Sequence, residues 1–232
     1  MFGIYNHFMS QHVYLKKRRL MKKLLQLAIF VSIPATSFAQ WKADVGLNVI
    51  PLMARSVEIS SELRRHPAYS LNFNVGYTFK SGHIGLADYK VYDFITKRRT
   101  SGGFLKAGGR IYLTGLSGKE RKTDFFVGAQ VIVSQYHQTA IREPIDGGQN
   151  YVGRSAVSAN GIIVSPAVSF GLARELSKKL SMDCGVQKSF VTDRDDYIGR
   201  SARNYQPGMG SGQSDPFIGY LQGILALRYR LN

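Results

Sequence analysis

From Trp41 onward the chain is a succession of segments in which apolar residues return at every second position, the period of a strand with two unlike faces. In Tyr69 to Phe79, the residues Tyr69, Leu71, Phe73, Val75, Tyr77 and Phe79 share one face, while Ser70, Asn72, Asn74, Gly76 and Thr78 share the other. Trp41 to Val49 repeats the pattern, with Lys42, Asp44, Gly46 and Asn48 on its polar side. Leu105 to Leu113, Phe125 to Val133, Ile162 to Leu172, Leu180 to Val186 and Leu221 to Leu231 follow it too. His83 to Ile95 supplies an eighth segment, with a change of parity that points to a bulge near Gly85. The sequence therefore predicts an all-β domain of about eight antiparallel strands.

The connections sort by length. Lys80-Ser81-Gly82 and Glu175 to Lys179 read as short turns, and Thr114 to Thr123 as a longer turn on the same side. Ala54 to Ala68, Tyr136 to Asn160 and Thr192 to Pro216 read as long polar loops. Such alternation fits an up-and-down meander with short turns at one end and long loops at the other. Pro166 interrupts the Ile162 segment and cannot donate to a ladder, which predicts a bulge or a place near the rim.

Periodicity alone does not say which face meets water. In a soluble lipocalin-like barrel the apolar face points inward, and in a membrane barrel it points outward. Three features favour the membrane version. Gly46, Gly76, Gly108, Gly128, Gly171 and Gly185 alternate with polar and charged residues, as in a narrow lumen crowded by side chains. Trp41, Tyr69, Phe79, Phe125, Phe190 and Tyr229 stand near segment ends, where a membrane-interface girdle needs aromatics. The last segment alternates Leu225, Leu227, Tyr229 and Leu231 with Ala226, Arg228 and Arg230.

The first residues change the picture again. From Met21 the chain runs through Lys22 and Lys23, an apolar stretch from Leu24 to Ile33, Pro34, and Ser37-Phe38-Ala39. That order is a cleavable signal peptide, with cleavage expected after Ala39 and a mature start at Gln40. The apolar stretch is shorter than the about 20 residues a membrane helix needs. Residues 1–20 read as an upstream extension, with Met21 an alternative start, so residues 1–39 are expected to be removed and 40–232 to form the domain. Taken together, the signal, the alternating segments and the terminal strand resemble the small outer-membrane β-barrel superfamily, of the porin-like and outer-membrane protein A transmembrane-domain type. The resemblance implies a closed antiparallel up-and-down transmembrane β-barrel in the outer membrane, a monomer in contact with outer-membrane lipids including anionic glycolipid.

Charge and chemistry add less. The chain has 31 Lys and Arg against 15 Asp and Glu; six of the basic residues precede residue 40, leaving 25 against 15, a net +10. For an exported protein the nearest polyanions are lipid phosphates and surface polysaccharides, not nucleic acid. The single cysteine, Cys184, excludes an internal disulfide and reads as a small apolar residue. Lys42, Asp44, Lys106, Arg110, Asp183, Arg228 and Arg230 fall on the polar faces, where they form either a charge network that fills the lumen or, with Arg110, Arg228 and Arg230, a narrow anion path. Arg64, Arg65, Arg98 and Arg99 are candidates for contact with surface anions, and Tyr136, Tyr151, Tyr197 and Tyr205 for ligand-binding loops. His66, His83 and His137 are the histidines after the signal; His137 with Glu143 or Asp146 is the one conceivable loop-borne base and orienter. Asp193-Arg194-Asp195-Asp196 lacks the Gly and distal Glu of a calcium loop. No catalytic, metal or cofactor residue is therefore assigned. The expected role is structural or surface-interacting, with a narrow porin-like channel, a loop-borne lipid-modifying enzyme and a soluble lipocalin-like binder as alternatives.

Overall fold

The structure is a computed structural model that describes residues 41–81, 95–114, 116, 122–142, 153–191, 205–212 and 219–231. Residues 42–232 make one compact unit. Its strands are β1 (Lys42–Asn48), β2 (Ser56–His66), β3 (Tyr69–Ser81), β4 (Ile95–Tyr112), β5 (Thr123–Arg142), β6 (Ser155–Glu175), β7 (Leu180–Ser189), two short strands β8 (Tyr205–Gln206) and β9 (Gly210–Ser211), and β10 (Leu221–Arg230). A single helical turn, α1 (Ile50–Met53), follows β1.

Strands β1 to β7 and β10 pair in sequence order, all antiparallel, and β1 closes on β10 from Asp44↔Arg230 to Asn48↔Ala226. The result is a closed up-and-down barrel of eight strands. Closure removes the unpaired edges that an open sheet exposes. β8 and β9 form a hairpin that joins the sheet at a single rung, Ser211↔Leu221.

Side chains alternate across this wall with the period of two that the pleat dictates. On β5, Phe125, Val127, Val131 and Val133 point out, while Phe126, Gln130, Ile132 and Ser134 point in and are buried. The ends are unlike. At one, β2–β3, β4–β5 and β6–β7 are joined through residues 67–68, 113–122 and 176–179, and β1 begins and β10 ends there. At the other lie the connections through residues 82–94, 143–154 and 190–220, together with α1.

Strand β2 is a departure from the sequence reading, which treats Ala54 to Ala68 as a long loop. Its inward positions Ser56, Glu58, Ser60 and Glu62 are polar, as a lumen requires, but its outward side carries Ser61 among Val57, Ile59 and Leu63. That break weakens the apolar repeat. Lys80-Ser81-Gly82 is not a short turn: β3 pairs directly with β4, from Tyr69↔Ile111 to Ser81↔Thr100. Residues 82–94, which hold most of the expected His83–Ile95 strand, lie outside the described residues, and the ladder closes without them. One strand overlooked and one misplaced cancel in parity. Every later strand is consequently read in its correct direction.

Strands β4, β5 and β6 also run past their apolar segments. Residues 136–142 and 155–160, expected to be loop, continue the β5–β6 ladder from Tyr136↔Gly161 to Arg142↔Ser155. Outward positions there are His137, Thr139, Ser158 and Asn160, with Ile141 and Ala156 beyond them, so the hydrophobic repeat is interrupted while the hydrogen bonds go on. Pro166 sits in an unbroken β5–β6 register opposite Val131. Its carbonyl accepts from Phe190 N at 2.9 Å, so its nitrogen faces β7, whose ladder with β6 ends at Ala167↔Ser189. The missing N–H falls opposite Phe190, one residue past the end of β7.

Candidate functional site

The interior of the barrel is the most heavily built part of the molecule, and its half nearest the short turns is ionic. Glu62 of β2 accepts from Arg110 Nη1 at 3.4 Å, Arg64 Nη2 at 2.9 Å and Tyr112 Oη at 2.5 Å, and it pairs with Arg228 Nη1. Asp183 of β7 pairs with Arg110 Nη1 at 2.6 Å and with Arg228 Nη2 at 2.8 Å. One step further in, Lys106 Nζ reaches Glu58 Oε2 and Gln187 Oε1, each at 3.0 Å, and Gln222 Oε1 at 3.1 Å. Glu58 also accepts from Asn74 Nδ2 at 2.7 Å.

Three carboxylates, Glu58, Glu62 and Asp183, thus face three cations, Lys106, Arg110 and Arg228, contributed by β2, β4, β7 and β10. Buried charges persist when paired and hydrogen-bonded to this extent. Glycine makes the room: a Cβ on Gly46 would come within 2.6 Å of Arg228 Cγ, and one on Gly128 within 3.1 Å of Arg110 Cγ. Arg110 also stacks its guanidinium 4.3 Å over the ring of Phe126.

The half nearest the long connections is filled differently. The β8–β9 hairpin folds into the barrel with residues 205–210 buried. Its turn has Pro207 followed by Gly208 at φ 75°, with Met209 N donating to Gln206 O at 3.0 Å, the pattern of a type II turn. Met209, fully buried, packs into a cluster of Ile132, Tyr136, Ile163 and Ala167 from β5 and β6. The Tyr205 hydroxyl shares a hydrogen bond with Ser56 Oγ at 3.1 Å, and Gln138 Nε2 donates to Tyr205 O at 3.3 Å. Gln187 bridges the two halves, accepting from Lys106 and donating through Nε2 to Gly208 O at 3.1 Å. Two cavities in the ionic part measure about 60 Å³ at the short-turn mouth and about 10 Å³ midway, space for a few waters at most.

The outer surface settles the kind of protein that encloses this interior. Val131 is 51% exposed, Leu105 51%, Phe125 58% and Ile162 67%, whereas Lys106, Glu62 and Arg228 are at most 3% exposed. A water-soluble domain has the opposite distribution. The chain is a small transmembrane β-barrel. Its facing removes the lipocalin-like alternative, which needs the apolar side chains within. No helix among the described residues is long and apolar enough to cross a membrane; the crossing elements are strands.

No protein-family model matches the barrel, and no curated protein does. Solved structures similar to it include the N-terminal β-barrel domain of Pseudomonas aeruginosa OprF, at 7% identity and a TM-score of 0.41, covering 83% of this chain and 98% of that one. Acinetobacter baumannii CarO2 gives 14% identity and a TM-score of 0.41, with 82% and 97% covered. Ail, the attachment invasion locus protein of Yersinia pestis, gives 11% and 0.37, with 82% and 97% covered.

Of the charged residues singled out from the sequence, Asp44, Lys106, Arg110, Asp183 and Arg228 are buried inside the barrel. Arg230 is half-buried at the short-turn mouth, between Asp44 at 3.3 Å and Glu175 at 3.0 Å, and Lys42 is exposed at the same mouth. Arg64 and Arg65 do not join the long connections: β2 carries them to the short-turn end, where Arg64 lies 3.9 Å over the ring of Tyr112. His66 stands beside them, its Nδ1 accepting from Ala68 N at 3.2 Å. Arg98 and Arg99 do lie on the long-connection side, Arg98 donating to Gln138 Oε1 at 2.9 Å and Arg99 exposed.

His137 is exposed and bonded to Asn160 Oδ1 across the β5–β6 pair. Its suggested partners Glu143 and Asp146, together with His83 and residues 193–196, lie outside the described residues. No group of three or more His, Cys, Asp or Glu among the described residues is placed to hold a metal ion. Glu58 and Glu62, the central acids, escape the sequence reading because the strand that carries them does. The available signal was Ser56, Glu58, Ser60 and Glu62, polar at every second residue.

Proposed function

We propose that this chain is exported by a signal peptide cut after Ala39, inserts in the outer membrane as a monomer, and serves envelope structure or surface contact with its lumen closed to solutes and without enzymatic activity. The observation that carries the reading is the doubly filled interior: a balanced ionic network below and a docked hairpin above. An anion path would need cations turned toward passing solute, but Arg110 and Arg228 are engaged by Glu62 and Asp183. The outward apolar band supports the membrane location, and the closed ladder, which offers no edge to a second copy, supports a monomer. Lipids of the outer leaflet, anionic glycolipid among them, are then the partners that surround it.

The test is fractionation of the expressed protein followed by planar-bilayer recording of the detergent extract. Recovery in the outer-membrane fraction, a gel mobility that changes on boiling, and no steady conductance are expected. Stepwise conductance altered by Arg110→Ala or Arg228→Ala would replace this reading with the channel. Recovery in the soluble fraction would remove the membrane location altogether.

A further inference from the structure

The outward surface carries a groove of about 450 Å³, within the range of small-molecule sites. It lies where β3, β4, β5 and β6 leave the apolar band. Tyr77 and Ile162, the apolar side of the groove, are 49% and 67% exposed. Ser101, His137 and Asn160 are its polar side, each one outward step beyond Gly103, Gln135 and Ile162 on its strand. The hollow exists because β4 carries Gly102-Gly103 here. A Cβ on Gly103 would meet nothing nearer than 3.9 Å, so that position opens into unoccupied space. His137 and Asn160 are bonded to each other across the pair, which fixes the polar wall. On the same face of β4, one outward step beyond Ser101, stands exposed Arg99.

We infer that this groove seats one phosphorylated lipid of the surrounding outer leaflet, its acyl chain along Tyr77, Gly103 and Ile162 and its anionic headgroup on Ser101, His137 and Asn160 under Arg99. The inference rests on the membrane reading above. A groove that changes from apolar to polar across the edge of the lipid band matches an amphiphile held at that depth, whereas a water-soluble ligand would leave Tyr77 and Ile162 unmatched. Arginine beside the polar end selects phosphate, which it binds through paired N–H groups. Gly103 is the residue on which the site depends: any larger side chain there projects into the groove and leaves the lumen untouched.

The experiment compares wild-type barrel with Gly103→Leu and Arg99→Gln after reconstitution in vesicles that contain phosphorylated glycolipid and zwitterionic phospholipid. Membrane insertion is first scored by vesicle flotation and by the heat-dependent gel shift. Lipid retained per barrel after mild detergent extraction is then measured by native mass spectrometry. Wild type is expected to retain one phosphorylated lipid. Gly103→Leu should reduce retention of either lipid by about tenfold, and Arg99→Gln should reduce chiefly the preference for phosphate, to a similar extent. Inserted Gly103→Leu that retains as much lipid as wild type would overturn the inference, as would an unchanged preference in Arg99→Gln. Failure of wild type to float with the vesicles would instead overturn the membrane reading.

Discussion

The two halves of the lumen solve one problem in opposite ways. Near the short turns, space between eight strands is filled by residues of the strands themselves, in a network that ties β2 to β4, β7 and β10 through ionic bonds. Near the long connections it is filled by a visitor, the β8–β9 hairpin, whose Met209 enters an apolar cluster and whose one sheet rung among the described residues is Ser211↔Leu221. The ionic half is part of the wall: remove one member and charges remain buried without partners. The hairpin is separable in principle, since undocking it leaves all eight strands paired. The barrel's stability should therefore depend chiefly on the first region, and water access to the upper half on the second.

The largest expected effect follows from Glu62, which accepts from Arg64, Arg110, Arg228 and Tyr112 together. Glu62→Ala should cost about 3–5 kcal/mol, the usual consequence of breaking a buried ionic network, because it leaves Arg110 and Arg228 sharing the single carboxylate of Asp183; it is read as a lower denaturant midpoint for loss of the heat-resistant gel form. Met209→Ala should cost about 2–5 kcal/mol at most, because it empties a fully buried site, and the loss should fall on the hairpin's docking and not on the strands. Gly208→Val combines a left-handed backbone, strained by about 1–2 kcal/mol, with a clash, since a Cβ there comes within 2.5 Å of the Phe104 ring. It should leave the gel shift intact and, with the ionic half still filled, open only the upper half to water, read as labelling of an Ile132→Cys probe by a water-borne thiol reagent that the docked hairpin shields. Equal labelling with and without Gly208→Val would show that the hairpin is not what closes the upper half.

Smaller effects sharpen the contrast from the other side. Replacing both members of a pair, Lys106→Met with Glu58→Gln, should change stability far less than Lys106→Met alone, because the single variant strands Glu58 and the double one does not. Pro166→Ala should stay within about 0.5 kcal/mol, as its nitrogen faces Phe190, one residue past the last β6–β7 rung.

How much of this was legible depends on what each residue faces. Strands that cross lipid announce themselves, because lipid demands an apolar side chain at every outward position and the lumen permits polar ones; Tyr69 to Phe79 and Phe125 to Val133 are the clear cases. Where the wall leaves the lipid, as at His137 and Asn160, the outward demand disappears and only the backbone ladder continues, which composition does not record. β2 failed to declare itself through one residue, outward Ser61, and with it went Glu58 and Glu62. The cationic half of the network was visible in Lys106, Arg110 and Arg228; its acidic half was visible only in Asp183. The hairpin was read as part of a polar loop. Its Gln206-Pro207-Gly208-Met209 run does encode a turn, but that the turn docks inside the barrel depends on Ile132, Tyr136 and Ile163, distant in sequence and brought together by closure.

The most direct test of the account is a cysteine scan of β5 from Phe125 to Thr139 in a Cys184→Ser background, each site carrying a fluorophore and challenged with a lipid-confined and a water-borne quencher in vesicles. The account predicts lipid quenching at 125, 127, 129, 131 and 133, protection from both quenchers at the intervening residues, and a change to water quenching at 135, 137 and 139. Lipid quenching that fails to alternate, or that is absent at the outward sites of folded protein, would contradict it.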